Sequence, residues 1–292
     1  MYFIPLGGNN GDHLLALGSR HALARAGIEP AATQEEADAI VVNGGGGITV
    51  ELWSPGFGSL RRLAGLAPSK PLIVLPSSYL ATATDLATCF VDRRAPLWLF
   101  ARERFSLAFL DRLSFPGETY LGIDHDMAFA LRDSEFLADL RARSTAEHLL
   151  LVERFDHECS TGQGDTVKRL YGLKSLIPLR FRAATKILVA GYFSARSRFA
   201  KEASKRLRAM HPELAAHPLV EDDISFRARH SFDAFVDIIV RSAAVATTRL
   251  HVGILAALLG KPTLLKAATG PYQKIRGCYE YSMSGLPNVR LW

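Results

Sequence analysis

The sequence predicts an α/β protein built as two doubly wound domains, and three observations predict it. Short apolar runs of strand length alternate with stretches of helical spacing along the chain. Polar or glycine-rich residues recur just after each strand-like run, where loops leave the carboxyl edge of an open parallel sheet. At 292 residues, 48% of them hydrophobic and 22% charged, the chain can bury a large core and is long for a single domain. The charge-rich stretch from Leu131 to Glu147 reads as a helix and hinge, which places the domains at 1–147 and 148–292.

Residues 2–6 open the first domain as a strand and run into Gly7-Gly8-Asn9-Asn10-Gly11-Asp12, residue types that tolerate left-handed backbone angles. Leu14, Leu15, Leu17, Leu23 and Ala24 then follow roughly helical spacing as far as Gly27. Strand, glycine-rich loop and helix form a layout in which backbone amides can meet a substrate; the plainer reading makes Asp12 a helix cap. The loop lacks the G-x-G-x-x-G spacing of a dinucleotide site, and no Walker lysine follows it. A second strand, 38–42 (DAIVV), leads into Asn43 and the glycines Gly44, Gly45, Gly46 and Gly47. Consecutive glycines are costly to order, so something is expected to pass close to the backbone there. Strands at 71–75 (PLIVL), 97–100 and 119–123 follow, ending in Pro76-Ser77-Ser78-Tyr79, Ala101-Arg102-Glu103-Arg104-Phe105-Ser106 and Asp124-His125-Asp126.

The second domain begins again with a strand, 148–152, followed by Glu153-Arg154-Phe155-Asp156-His157-Glu158. A strand at 186–190, a basic helix at 196–210, an acidic loop Glu221-Asp222-Asp223 without EF-hand spacing and an amphipathic segment at 233–241 come next. The most informative stretch is TTRLHVGILAALLGKPTLL, from Thr247 to Leu265. It reads as the end of a buried strand (243–247), an apolar helix (252–259), a stop at Gly260 and another strand (262–265). Arg249 and His251 therefore fall at a strand end and a helix start, where unpaired N–H groups favour anions. The plainer reading is an arginine paired to a carboxylate and a histidine capping the helix. Pro271-Tyr272-Gln273-Lys274, a helix to about Ser284 and a closing strand at 288–292 complete the chain.

Several function classes are excluded by composition. Cys89, Cys159 and Cys278 form no CxxC pair, so a disulfide framework and a thiolate zinc site are not expected. His157, Glu158 and Cys159 are adjacent rather than spaced to share one face, which argues against a metal site. The N-terminus has no basic leader, and no segment approaches the roughly 18 consecutive apolar residues of a membrane span. A cytoplasmic, non-exported protein is the expectation. Residues 1–147 hold 17 acidic and 13 basic residues, whereas 148–292 hold 22 basic and 12 acidic. The basic half should face an anionic partner. With no zinc finger, RRM signature or basic-aromatic ladder, a phosphorylated small molecule or an anionic lipid surface is expected rather than nucleic acid.

Taken together, Gly8 to Asp12 (GNNGD), the NGGGG run, Ala101 to Ser106 (ARERFS), Asp126 to Phe129 (D-x-A-F), TTRLH with the following GKP, and the Tyr272/Lys274 pair resemble the polysaccharide pyruvyl transferase family over most of the chain. The resemblance implies two Rossmann-like domains arranged as in GT-B glycosyltransferases, with phosphoenolpyruvate (PEP) bound in an interdomain cleft. It implies transfer of pyruvate from PEP onto a saccharide as a ketal, in exopolysaccharide or cell-surface glycan biosynthesis. The acceptor would be lipid-linked at the cytoplasmic membrane face, with no cofactor required beyond the donor and the need for a divalent metal left open. Met127 stands where the family often has proline, and the long C-terminal helix of many GT-B proteins is not seen.

By this resemblance Arg249 and His251 match the donor-binding Arg-x-His, and Arg102 matches an arginine ahead of a helix serine. PEP carries a phosphate and a carboxylate, both of which suit the planar arginine fork. Ketal formation also needs a general acid, a general base and stabilisation of the departing phosphate. His251 and Asp12 are the expected catalytic groups; Arg249, Arg102 and Lys274 are expected on PEP. Asn10, Gly45, Gly46, Asp126 and Arg154 are expected on the acceptor or in the cleft, an ion pair within the first domain being the plainer reading of Asp126. The competing expectations are a GT-B-type glycosyltransferase using a nucleotide sugar and a non-catalytic saccharide- or phosphate-binding protein.

Overall fold

The computed structural model describes residues 1–46, 65, 67–79, 86–154, 198–268 and 273–292. The strand expected at 186–190, Gly47, the His157-Glu158-Cys159 run and Tyr272 lie outside the described residues. The chain divides into two compact units. One comprises Met1–Gly8, Asp12–Ser134 and Gly277–Met283; the other comprises Asn9–Gly11, Glu135–Arg276 and Ser284–Trp292.

The first unit holds a parallel sheet of β1 (Tyr2–Ile4), β2 (Ile40–Val42), β3 (Leu72–Ser77), β4 (Leu97–Ala101) and β5 (Thr119–Ile123), paired in chain order. Burial alternates along β4, so Leu97, Leu99 and Ala101 enter one core with Val42, Leu72, Val74, Phe90, Phe109 and Leu110. Helix α1 (Asn10–Arg25) follows β1, and α2 (Arg104–Leu110) joins β4 to β5. Among the described strands this sheet shows no reversal of order, whereas a doubly wound sheet reverses.

The second sheet does reverse. Its order is β10 (Val289–Leu291), β9 (Thr263–Leu265), β8 (Ser242–Thr247), β6 (His148–Val152) and β7 (Leu219–Glu221), all parallel. Among the described strands β7 follows β6 and lies on one side of it while β8 lies on the other, so β6 and β8 flank a topological switch point. β8 is buried at every residue, as a central parallel strand covered on both faces must be, and its small side chains (SAAVAT) suit that place. The described α-helices of this unit are α3 (Glu135–Ala142), α4 (Phe199–Met210), α5 (Phe232–Val240) and α6 (Leu250–Leu258), while α7 (Lys274–Cys278) begins in this unit and has its last two residues in the first. Ser231 caps α5 by accepting from the Ala234 amide at 3.1 Å. After α7 a π-helical turn, Tyr279–Met283, replaces the expected single helix to Ser284.

Lys261, in the GKP that follows α6, is a structural tie. Its ammonium is buried and donates to Ser144 Oγ (2.9 Å), the Thr145 carbonyl (3.1 Å) and the Ser242 carbonyl (2.5 Å). Burial pushes its pKa down, and the three acceptors keep the charged donor fully used.

Candidate functional site

Ligands of open α/β sheets bind outside the carboxyl ends of the strands at a switch point. In the second unit those ends carry Glu153 and Arg154 after β6, and Thr248 to His251 after β8. The two threonines stitch the turns together. Thr247 Oγ1 accepts from the Arg249 amide at 2.8 Å, and Thr248 Oγ1 accepts from the Arg154 amide at 2.7 Å. Arg249 is the extended N-cap residue of α6, which puts His251 in the first helical turn, where anions are favoured.

Arg249 is only 7% exposed, and its side chain is fixed by a carboxylate that sequence reasoning passed over. Its Nε donates to Asp223 Oδ1 at 3.0 Å while Nη2 donates to Asp223 Oδ2, a two-pronged clamp. Asp223 belongs to the acidic loop after β7. The neighbouring Asp222 forms an ion pair with Arg229, Oδ1 to Nη1 at 2.9 Å, and its Oδ2 lies 2.8 Å from His230 Nε2. Asn10 holds the same loop from within. Its side-chain amide is fully buried and donates to the carbonyls of Ile224 (3.1 Å), His230 (3.1 Å) and Ser231 (3.4 Å), while its backbone N–H donates to Ser225 O at 3.0 Å.

Gly11 lies directly against His251. A Cβ at Gly11 would stand 2.5 Å from His251 Nδ1 and 2.8 Å from its Cβ, closer than side chains approach. The Asn9 side chain closes the turn by accepting from the Gly11 amide at 2.7 Å. Asn9–Gly11, Asp223, Arg154, Arg249 and His251 all belong to the second unit.

The first unit gathers a different polar set. Arg102 is 1% exposed; its Nη1 donates to Asp126 Oδ2 at 2.7 Å and its Nε to Ser78 Oγ at 2.9 Å, with Glu103 Oε2 at 3.5 Å. Asp126 also caps the following turn through the Ala128 amide (3.0 Å). Glu103 is fully buried, accepts from Ser106 Oγ at 2.5 Å, and has Cys278 Sγ 3.5 Å away. Burial pushes the Glu103 carboxyl up despite the opposing Arg102, and it pushes the Cys278 thiol well up. A donor molecule would reach Arg102 only after Ser78, Glu103 and Asp126 had moved. The ion pair weighed for Asp126 as the plainer reading is thus present.

The other expected residues are placed as follows. The Asp12 carboxylate, in the first turn of α1, lies against Gly8 within the first unit. Gly45, at φ +120°, bridges to β3: its N–H donates to Pro76 O (3.1 Å) and its carbonyl accepts from Ser78 N (3.0 Å). What passes close to that backbone is therefore the neighbouring chain. Gly46 follows it, half-buried. Arg154 and Lys274 are buried in the second unit, Lys274 as the first residue of α7. Among the described residues no three His, Cys, Asp or Glu side chains gather as metal ligands would, and no helix is long and apolar enough to cross a membrane.

One structural comparison agrees with this architecture at the level of fold. A functionally uncharacterised protein of Klebsiella pneumoniae subsp. pneumoniae NTUH-K2044 superposes with a TM-score of 0.62 at 18% identity, covering 100% of this chain and 91% of that one. The UDP-GlcNAc 2-epimerase of Methanocaldococcus jannaschii, solved with UDP-GlcNAc and UDP, gives a TM-score of 0.36 at 11% identity over 98% of this chain and 71% of that one, a likeness too remote to carry argument. No curated protein matches the sequence. The family model of polysaccharide pyruvyl transferases does match, over residues 9–267, a span that begins at the Asn9–Gly11 turn and takes in Asp223, Arg249 and His251. The chain belongs to the polysaccharide pyruvyl transferase family, and is a transferase.

Proposed function

We propose that this pyruvyltransferase takes pyruvate from PEP and places it on a saccharide as a ketal, with the donor held at the carboxyl edge of the second sheet. The observation that carries the reading is the Arg249/His251 pair at the β6/β8 switch point, with Arg249 clamped by Asp223 and His251 lying on Gly11. Clamping leaves the guanidinium with few orientations, so less freedom is lost when it meets a phosphate or carboxylate. Arg154 and Lys274 add positive charge to the same unit.

In the proposed reaction a sugar hydroxyl forms a C–O bond to the enol carbon of PEP while the methylene carbon takes a proton and becomes methyl. A second hydroxyl of the same sugar then displaces phosphate from that carbon, closing the ketal ring and releasing a proton and inorganic phosphate. His251 is the proposed proton carrier of these steps. Asp12 is the proposed base toward the acceptor hydroxyl, and Asn10, Gly45, Gly46 and Asp126 stand in this proposal as residues shaping the site. Arg102 would hold PEP only by exchanging its present partners for the donor. The reading includes a lipid-linked acceptor of exopolysaccharide or surface-glycan assembly, Rossmann-like folding of each unit, and a cytoplasmic location with peripheral attraction of the basic half to an anionic membrane face.

Thermal shift with PEP and, separately, with UDP-sugars tests the donor. PEP at millimolar concentration should raise the melting temperature, and phosphate release from PEP should depend on added saccharide. Stabilisation by a UDP-sugar alone would transfer the reading to a nucleotide-sugar glycosyltransferase; binding of PEP without acceptor-dependent turnover would make the protein a binder.

A further inference from the structure

We infer that Asn10 and Gly11 are the positioning element of the Arg249/His251 pair, so that the glycine-rich turn serves the site through those two side chains instead of touching substrate itself; this rests on the reading just given. Two independent contacts carry it. Gly11 offers the His251 ring a flat seat of bare backbone, and any side chain there would push the imidazole off by its Nδ1 edge. Asn10 acts on the other member of the pair. Its amide and backbone N–H together hold four carbonyls between Ile224 and Ser231, the loop whose Asp223 grips Arg249. An isolated loop of that length would sample many conformations, and Asn10 removes them from inside, with its amide at 0% exposure.

One short turn therefore sets two distances at once: where the imidazole stands, and how the guanidinium fork faces. The residue types follow from that duty. Asparagine supplies two N–H donors to backbone acceptors where aspartate would supply none. Glycine supplies the absence of a side chain where the ring must lie. Asn10, expected from sequence on the acceptor, is by this inference a positioning residue.

The test uses the full-length protein with Gly11→Ala, Asn10→Ala and, as a control for generic glycine loss, Gly285→Ala, where an added Cβ meets nothing within 4 Å. Two readouts are taken. The first is acceptor-dependent phosphate release from PEP; the second is acylation of His251 by diethyl pyrocarbonate, followed by peptide mass. Gly11→Ala should lower kcat by about a hundredfold, the scale of an ångström-level misplacement, and His251 should acylate severalfold faster while the other histidines keep their rates. Asn10→Ala should raise the half-saturating PEP concentration about tenfold through a loosened Arg249. Gly285→Ala should match wild type in both assays. Wild-type kcat with wild-type His251 acylation in Gly11→Ala overturns the seat, and unchanged PEP saturation in Asn10→Ala overturns the strap. Should Gly11→Ala fail to fold by circular dichroism, Asn10→Ala decides. Absence of PEP turnover in the wild-type protein would sink the proposed function, while the acylation rates would still decide the seat.

Discussion

Replacing Arg102 by methionine separates a structural arginine from a ligand-binding one. The side chain is 1% exposed and is matched by two carboxylates, Asp126 at 2.7 Å and Glu103 at 3.5 Å. Removing it leaves both acids in a low-dielectric interior without the cation they share. Breaking a buried pair in this way typically costs about 3–5 kcal/mol. At about 3 °C per kcal/mol for a protein of this size, the melting temperature should fall by about 9–15 °C. Methionine fills most of the volume, so little of that loss is cavity. Neutralising the stranded acids with Glu103→Gln and Asp126→Asn in the same chain should recover at least half of the fall, because the penalty is charge rather than packing. The assay is thermal denaturation by near-ultraviolet circular dichroism without ligand. A melting temperature within a few degrees of wild type, combined with loss of PEP-induced stabilisation, would refute the structural assignment and place Arg102 on the donor.

Three further outcomes are expected. His251→Ala should abolish ketal formation while leaving the melting temperature nearly unchanged, since the residue is half-buried on a glycine; near-normal turnover would remove it from the mechanism. Glu103→Gln should stabilise the protein increasingly as pH rises. The folded carboxyl is raised above its ordinary 4.5, so the folded state holds a proton that the unfolded chain releases, and stability present below that pH is lost as pH climbs. A wild-type melting temperature that stays flat from pH 5 to about 8, measured against the variant, would contradict this. Lys261→Met should cost about 2–4 kcal/mol in urea unfolding because three acceptors lose a charged donor; a change below about 1 kcal/mol would show that water replaces the ammonium.

Strands with strong apolar runs were legible to within a residue or two: 119–123 and 148–152 were read at their observed bounds. β7 was not read as a strand, and the reason is physical. Among the described strands its three residues pair with β6 alone, and two of them are exposed, so no core demanded an apolar pattern there. The order of the sheets was equally hidden, because periodicity tells which segments are strands and not which neighbour each one meets. In the candidate site, Arg249 and His251 could be placed from local signals, a strand end and a helix start. Their partners could not. Asp223 looked like part of an acidic loop without metal spacing, and Gly11 like a flexible turn residue; each acquires meaning only through a contact distant in sequence. Asn10 is expected from sequence on the acceptor or in the cleft, whereas its burial and its carbonyl partners depend on a loop more than two hundred residues away.

The allocation of Asn9–Gly11 to the second unit, and of Gly277–Met283 to the first, bears on how the protein can be dissected. A fragment starting at Glu135 would carry Arg249, His251 and Asp223 but leave behind the turn on which they rest. A fragment ending at Ser134 would lose the segment bearing Cys278, which lies against Glu103. Chimeras that exchange one unit with a relative's therefore have four junctions to match besides the one after Ser134, two near each end of the sequence. Grafting residues 9–11 together with 135–276 transfers the arginine–histidine pair as a unit; exchanging at a single midpoint does not.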